Sequence, residues 1–401
     1  MKFFRKPCAL VLLSAWVPVQ AEWSLAPTFN SYAKVNDNQQ LEVKNPVVRI
    51  ANVSELSAPV EFATDTLVLS ALPTLRVAQY TGPGNLNSDD IFLNLGGLRN
   101  TQASRYSLDF SYDRATTLTT EVQQAARTNK NIYRTSLSVT PAWTWQATEQ
   151  ASLRFTAGVL DVTFERGGEG QYTDYRQFSV GPDLTYSLTR QTQLFSSAQV
   201  SRFETPETGD STDSLALQGG VIQTFSDTFR GTFVAGWNFS SFTFFALEPV
   251  ITPELITLVN TEQSATGGGA LVNLALAKDF ELTTTTLSWT RSFSPSSQGS
   301  RQLRDEVQAK SAYALSDRSA LSAGLTFSNQ YQESLQQSLP GNDAVQQLYA
   351  EGAWRYEVSR HLSAEAGYRH LLQMQGAAAD TVGYNEVFFG LRYAVDPLRY
   401  R

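Results

Sequence analysis

The sequence predicts an all-β protein, a transmembrane antiparallel up-and-down β-barrel of about 16 strands. The prediction follows from a strict alternation of residue types, from the length and pairing of the alternating segments, and from a leader-like N-terminus. In residues 136–145, 178–188 and 387–395 every second residue is apolar or aromatic, or is a proline. Because successive side chains of a strand point to opposite faces, each segment has one apolar face and one more polar face.

Segment length separates a membrane barrel from a soluble sandwich, since both show alternation. Sandwich strands have about 5–6 residues, whereas a strand that crosses a bilayer needs about 9–11. The segments here are of the longer kind, and short polar turns such as 147–149 and 189–191 join them in pairs. Longer polar loops separate the pairs, which is the layout of outer-membrane barrels. A soluble periplasmic β-protein is an alternative that would bury its outward aromatic residues against a second sheet.

Sixteen strands are predicted from residue 66 onward, and an even number leaves both chain ends at the same rim. They lie near 66–80, 90–98, 105–114, 132–146, 150–164, 174–188, 192–203, 213–225, 228–240, 266–277, 281–294, 303–315, 319–330, 345–358, 361–372 and 384–395. Residues 23–35 also resemble a strand, and with a partner from 47–63 the count would become 18. The predicted organisation is a signal peptide over 1–21, an N-terminal periplasmic or plug segment over 22–64 and a transmembrane barrel over 65–401.

The first 21 residues have the three parts of a secretory signal peptide. Lys2, Arg5 and Lys6 precede the apolar stretch 9–16, and residues 19–21 offer a small-residue cleavage site. The apolar stretch is too short for a transmembrane helix, which needs about 20 residues, although a retained anchor is the alternative. The leader and the barrel pattern together predict the outer membrane of a Gram-negative bacterium as the location.

Composition excludes several classes of protein. Cys8 is the one cysteine and lies in the leader, so the mature chain would have no thiol, disulfide or cysteine metal site. Loss of residues 1–21 removes three cations and no anion, which changes the formal net charge from −7 to −10. An acidic chain without a basic stripe does not favour nucleic acid as a partner. After the leader, no apolar stretch of 18 or more residues predicts a membrane helix.

Histidine is too scarce to predict a catalytic or metal site. A Ser–His or Glu–His hydrolytic site needs a histidine base, and the chain has only His361 and His370. His361 lies in a predicted turn, and no spacing around His370 singles out a nucleophile. Two separated histidines do not form a metal site, and the glycines 267–269 precede a strand and no helix that would bind phosphate. We therefore predict a protein that is not an enzyme and uses no cofactor.

The more polar face of the predicted strands would line a lumen, and both charge signs occur on it. Glu351 and Arg355 lie on the strand before the one that holds Glu365 and Arg369, so cross-strand ion pairs are expected. The charges either set the solute preference of a pore or form a structural network in a wet lumen. The predicted pore-lining residues are Asp109, Arg154, Asp183, Arg230, Glu351, Arg355, Glu357, Glu365, Arg369 and Arg392.

The sequence also predicts an aromatic girdle around the barrel and two candidates for a plug inside it. Aromatic residues near the short turns lie on the outward face, where an interfacial girdle belongs. These are Trp143, Trp145, Tyr186, Trp354, Tyr356 and Tyr393. The segment 22–64 and the partly apolar loop 241–265 are the candidates for a plug that would narrow the lumen.

Four stretches resemble a known family. They are TTLTTEV at 116–122, PAWTWQATE at 141–149, YTDYR at 172–176 and TYSLT at 185–189. In this order and spacing they resemble the outer-membrane β-barrel porins found with bacterial exopolysaccharide synthesis and export systems. The resemblance covers about residues 65–240, the rest is similar only in general pattern, and residues 244–269 depart from it. It implies an outer-membrane barrel that assists polysaccharide export, without cofactor or catalytic residues.

The leading functional prediction is a porin-like channel for the passive passage of solutes or saccharides, linked by the resemblance to exopolysaccharide export. The alternative is a closed structural or adhesive surface barrel that acts through its extracellular loops. Inward glycines such as Gly158 and Gly181 keep the wall thin and favour an open interior. The expected partners are outer-membrane lipid and lipopolysaccharide, a saccharide or polysaccharide, and an envelope export complex, with no nucleic acid.

Overall fold

The computed structural model describes residues 21–120, 131–165, 172–251, 256–296, 301–332, 344–375 and 380–400. Within them the chain forms 21 β-strands, all in one sheet, and one four-residue helix. No helix in the described residues is long and apolar enough to cross a membrane. The elements are β1 (Glu22–Leu25), β2 (Thr28–Asn36), β3 (Arg49–Ser57), β4 (Val60–Ala63), β5 (Leu67–Tyr80), β6 (Ser88–Asn100), β7 (Ser104–Thr116), α1 (Thr117–Thr120), β8 (Tyr133–Gln146), β9 (Ala151–Phe164), β10 (Tyr175–Ser187), β11 (Thr192–Glu204), β12 (Ser211–Ser226), β13 (Phe229–Ile251), β14 (Ile256–Asp279), β15 (Thr283–Pro295), β16 (Arg301–Ser316), β17 (Ser319–Gln332), β18 (Val345–Glu357), β19 (Leu362–Gln375), β20 (Asp380–Ala394) and β21 (Leu398–Tyr400).

The sheet closes into a barrel through its first and last strands. β2 pairs antiparallel with β20, from Thr28 opposite Ala394 to Asn36 opposite Glu386. Three wall strands are each built from two pieces placed end to end: β1 with β2, β3 with β4, and β20 with β21. The 21 strands therefore make 18 wall strands. Closure removes the open edges that would otherwise bind other chains.

The prediction of an all-β antiparallel barrel is confirmed, and the count is 18 instead of 16. The additional pair is the one that the 18-strand alternative proposed, built from β1 to β4. Residues 22–63 therefore form part of the wall, and the prediction that 22–64 is a separate periplasmic or plug segment is wrong. Pro27 and Pro59 explain the miss, because each lies between two strand pieces and interrupts the alternation there. The predicted signal peptide lies outside the described residues, apart from Ala21, and stays a prediction.

The two rims differ in the length of their connections. Tight turns such as Thr64–Thr66 and Asn100–Ser104 close one rim, which we call the turn end, where the backbone of Thr64 and of Thr101 donates hydrogen bonds across the turn. The longer connections lie at the opposite rim, the loop end. The segment 241–265 was predicted to be a loop, but most of it is strand. β13 continues to Ile251, and β14 begins at Ile256. These two strands are the longest of the barrel and form a hairpin that extends the wall at the loop end.

Buried side chains concentrate inside the loop end of the barrel. Val162, Phe164, Tyr175 and Phe203 form one apolar cluster on β9, β10 and β11. Leu371, Val382 and Tyr384 form another on β19 and β20, together with Leu41, which follows β2 and is fully buried. The interior is therefore packed near the loop end, which leaves the open, polar part of the lumen on the turn-end side and around the charged residues described below.

Candidate functional site in the barrel lumen

The outer surface of the wall is apolar. Large apolar side chains of the outward face are about half exposed on every side of the barrel, which a soluble protein would avoid. Examples are Phe29, Leu75, Val180, Val200, Phe239, Leu325, Val387 and Phe389. The described strands form a single closed sheet, so no second sheet covers this surface. The soluble alternative is therefore wrong, since a closed barrel with an apolar outer belt is built to pair its backbone internally within lipid.

The predicted aromatic girdle flanks this apolar belt near the turn end. Its six residues are all between 38% and 49% exposed on the outward face. Trp143 stacks on Phe155 with ring centroids 5.7 Å apart, and Trp354 stacks on Tyr356 at 5.9 Å. Such rings belong at the boundary between hydrocarbon and headgroups. The chain is an outer-membrane β-barrel. Because outer-membrane barrels have their short turns at the periplasmic rim, we expect its turn end to face the periplasm and its loop end to face the outside.

Charge is unevenly distributed around the lumen of this outer-membrane barrel. The inward faces of β16, β18, β19, β20 and β2 carry acidic and basic side chains, and those of β11 and β12 carry uncharged ones. Ser197, Gln199, Thr212, Ser214 and Gln218 are examples of the uncharged side. A polar solute in the lumen thus meets a charged wall on one side and a neutral hydrogen-bonding wall on the other.

Glu386 is the centre of the charged wall. Lys34 Nζ donates a hydrogen bond of 2.9 Å to Glu386 Oε2, and Asn36 Nδ2 donates to the same oxygen at 3.2 Å. Arg369 Nη1 donates to the other oxygen, Oε1, at 3.0 Å. The side chains of Lys34 and Glu386 are only 8% and 5% exposed. The carboxylate therefore binds two cations at the line where β2 meets β20 and closes the barrel.

Two more charged residues surround this centre. Glu351 Oε2 accepts a hydrogen bond from Tyr349 at 3.0 Å and lies 3.9 Å from Arg369 Nε. Arg76 on β5 donates to the hydroxyl of Tyr32 at 3.2 Å. We call Lys34, Arg76, Glu351, Arg369 and Glu386 the charged cluster. It contains three cations and two anions, so it presents hydrogen-bonding groups of both signs without a large net charge.

The charged cluster lines a polar cavity of about 420 Å³. Tyrosine hydroxyls and rings complete the lining, from Tyr32, Tyr80, Tyr349 and Tyr384. Leu118 of α1 also lines it, which shows that the chain after β7 enters the lumen at this height. Aromatic faces beside paired charges are surfaces that bind polar solutes with apolar faces, among them sugar rings.

A second charged group lies nearer the turn end. Arg355 Nη2 donates to Glu365 Oε2 at 3.1 Å, so the structure contains the cross-strand pairs expected for Arg355 with Glu365 and for Glu351 with Arg369. Arg355, Glu365, Arg369 and Arg392 line a cavity of about 200 Å³ together with Glu55 of β3. Eight charged residues of β2, β3, β18, β19 and β20 thus connect the two cavities into one polar surface.

The other predicted pore residues are distributed around the wall. Asp109 lines a cavity of about 570 Å³ beside the break between β3 and β4. Arg154 and Asp183 stand directly opposite each other on β9 and β10. Arg230 lies 4.0 Å from Asp279 at the turn end, and Glu357 stands opposite Ser363 at the same rim. The structure therefore brings together Glu351, Arg355, Glu365, Arg369 and Arg392, and it leaves the remaining five apart.

Three members of the charged cluster were missed from sequence. Lys34 lies in the segment that was assigned to a plug, so its strand was not among the sixteen whose inward faces were searched for pore residues. Glu386 lies on the same face of β20 as Arg392, because the two are six positions apart along the strand, and this signal was available. Arg76 alternates in the same way with the inward Thr74 of β5 and could also have been found.

The histidines and the metal-ligating side chains form no cluster in the described residues. His361 Nδ1 lies 3.1 Å from the carbonyl oxygen of Ala394 at the turn end. His370 Nδ1 lies 2.9 Å from Asn385 Oδ1. No group of three or more His, Cys, Asp or Glu residues that could hold a metal ion is found in the described ranges.

Solved structures with a similar course of the chain are membrane barrels of very different sequence. OccK7 (OpdD) of Pseudomonas aeruginosa is 10% identical with a TM-score of 0.49, and the alignment covers 94% of this chain and 99% of that one. OccAB3 of Acinetobacter baumannii is 10% identical with a TM-score of 0.45, covering 95% and 100%. The ferric-catecholate import receptor Fiu of E. coli, in its closed form, is 8% identical with a TM-score of 0.48, covering 92% and 81%. No protein-family model and no curated protein sequence matches the chain.

Proposed function

We propose that this chain is a passive outer-membrane channel for small polar solutes, without catalytic activity, cofactor or energy source. The observation that carries the proposal is the pair of polar cavities, about 420 and 200 Å³, that the charged wall lines inside a closed 18-strand barrel. Barrels of 16–18 strands are wide enough to leave an aqueous channel. All ten predicted pore residues are proposed to contribute to the lining, and the charged cluster is the proposed selectivity site.

Saccharides are the proposed solute class. The resemblance of residues 116–189 to the barrels of exopolysaccharide export systems supports this class, and so do the tyrosines of the larger cavity. Hydroxyl groups of a sugar would exchange hydrogen bonds with the charged cluster, and its apolar face would stack on a tyrosine ring. The same proposal includes an envelope export complex as partner. It also includes a signal peptide over residues 1–21 that directs secretion of the chain.

Liposome swelling tests the proposal directly. Vesicles that contain the refolded chain are placed in isosmotic solutions of mono-, di- and trisaccharides, and the swelling rate reports the flux of each sugar. We expect swelling that slows with sugar size, and vesicles with the folded chain that do not swell in any sugar would contradict the channel. In that case the surface barrel that acts through its loops would be the better account.

The matched variants for ion selectivity are Glu386→Gln and Glu365→Gln. Loss of the Glu386 charge leaves Lys34 and Arg369 without their shared counter-ion in the larger cavity, so anions should be favoured. Reversal potentials in a salt gradient measure the shift. Glu365→Gln removes a charge from a more exposed pair and should shift the potential less.

A further inference from the structure

The ladder between β14 and β15 ends before either strand does. Its last pair, counted from the turn end, is Val272 opposite Arg291. Beyond that point β14 stays paired with β13, and β15 stays paired with β16 as far as Pro295. The loop-end parts of β15 and β16 thus leave the wall together. We call residues 292–295 of β15 and 301–304 of β16 the inner arm.

The inner arm lies on the lumen side of the wall. Phe293 has the same orientation on β15 as Leu287 and Trp289, which are 42% and 39% exposed on the outward face. Its ring nevertheless packs against Gly269, where a Cβ atom would lie 3.1 Å from it. Gly269 shares the inward face of β14 with the buried Leu271. Because the outward face of the arm touches the inward face of the wall, the two overlap as layers.

Arg301 attaches the arm to more distant strands of the wall. Its Nη1 donates hydrogen bonds to the hydroxyl oxygens of Ser240 on β13, at 2.8 Å, and of Ser214 on β12. The guanidinium also lies over the Phe293 ring, 4.8 Å from its centroid. Arg301 is 8% exposed and both serines are 5% exposed, so the contact is closed to water. Hydrogen bonds from a charged donor are stronger than those between neutral groups, and Arg301 therefore anchors the arm.

The overlap narrows the lumen at the loop end. With strands about 4.8 Å apart and tilted by about 40°, a barrel of 18 strands is about 36 Å across between opposite backbones. Two sheets packed face to face are about 10 Å apart. The inner arm, as a second layer, therefore removes roughly a quarter of the width on its side of the barrel.

The lumen side of the inner arm is polar and lies next to the charged cluster. Ser292, Ser294 and Arg304 have the orientation opposite to that of Phe293 and face the lumen. Arg304 forms an ion pair with Glu306, and both line a cavity of about 300 Å³ that also contains Glu351 of the charged cluster. A solute that moves along this wall between the loop end and the charged cluster therefore contacts the arm.

We propose that Arg301 sets the size limit of the channel, because it holds the inner arm inside the lumen. The inference rests on the proposed passage of solutes and names the residue that decides which sizes pass. Arg301 is a positioning residue, since it acts through the arm and does not itself touch the solute. Selection by size would then belong to the arm, and selection by charge to the charged cluster.

Sugar flux tests the role of Arg301. In the liposome swelling assay, Arg301→Ala should raise the ratio of the trisaccharide rate to the monosaccharide rate at least about twofold, because pore diameter limits the larger sugar more. A lower yield of folded protein changes both rates equally and leaves the ratio unchanged. The double variant Ser214→Ala and Ser240→Ala removes the acceptors, leaves the arm intact and should have the same effect.

The matched control for this assay is Arg291→Ala. It breaks an ion pair with Asp305, 3.6 Å long, on the outward face of the same two strands and leaves the anchor of the arm in place. The flux ratio should therefore stay at its original value. An unchanged ratio in folded Arg301→Ala, or an equal rise in Arg291→Ala, would overturn the proposal.

Thiol labelling tests the overlap without any transport. In a Cys8→Ser background, Leu271→Cys lies beside the Phe293 contact and is buried, whereas Asn273→Cys is exposed on the same face two residues away. A water-soluble maleimide should label position 273 at least about tenfold faster than 271, and adding Arg301→Ala should reduce the difference. Equal rates without that substitution would overturn the inner arm. Absence of sugar flux from every variant would overturn the channel and its size limit together, whereas flux with an unchanged ratio would overturn only the role of Arg301.

Discussion

Removal of the Glu386 charge should strongly destabilise the barrel. The carboxylate lies 2.9 Å from Lys34 Nζ and 3.0 Å from Arg369 Nη1. With an effective dielectric constant of about 20, unit charges at the shorter distance attract each other by about 6 kcal/mol. The cost of removing the charges from water offsets part of this attraction, but Glu386→Gln leaves that cost in place for both cations. We therefore expect a loss of about 3–5 kcal/mol in the free energy of unfolding.

The control is the same substitution at the more exposed pair. Arg355 and Glu365 are 3.1 Å apart, but their side chains are 52% and 37% exposed, so Glu365→Gln should cost less than about 1 kcal/mol. Urea unfolding in phosphatidylcholine vesicles, followed by tryptophan fluorescence, measures both values. Adding Lys34→Met to Glu386→Gln should recover part of the loss, because one uncompensated buried charge is removed. Equal losses for Glu386→Gln and Glu365→Gln would refute the reasoning.

Three further changes test the wall itself. Deletion of residues 22–63 should prevent the heat-modifiable folded band from forming on a gel, because these residues complete the barrel; a folded protein of higher conductance would instead indicate a plug. Trp143→Ala removes the stacking on Phe155 and should lower unfolding stability in the same urea titration by about 1–3 kcal/mol, with no loss if the ring contributes nothing. Gly220→Ala should destabilise by about 1–3 kcal/mol, since its Cβ would lie 2.1 Å from a backbone oxygen, whereas at neighbouring Gly219 the nearest atom is 3.8 Å away and the cost should be smaller; equal costs would contradict this packing.

Alternation predicted the wall wherever a wall strand is continuous. All 16 strands predicted from residue 66 onward are present as β5 to β20. The first wall strands consist of pieces of four and nine residues on either side of Pro27 and Pro59, so their alternation is interrupted and they entered the prediction only as the 18-strand alternative. The extension of β13 and β14 was missed for a related reason, since residues 244–251 do not alternate and include Pro249.

Local register explains which lumen contacts could be predicted. Arg355 and Glu365 lie on strands joined by a short turn, and the turn fixes which residues face each other. Lys34 and Glu386 are 352 residues apart in sequence, and only closure of the barrel brings them together. The early end of the ladder between β14 and β15 was not predictable either, because alternation continues along β15 after its pairing with β14 has ended.

Single-channel conductance of the refolded chain in a planar lipid bilayer tests the central claim most directly. If the polar cavities form a continuous aqueous path, insertion should give stepwise, steady conductance, and Glu386→Gln should shift the ion preference toward anions. Absence of conductance from protein shown to be folded and inserted would contradict the channel, and the function would then belong to the loop end of the barrel.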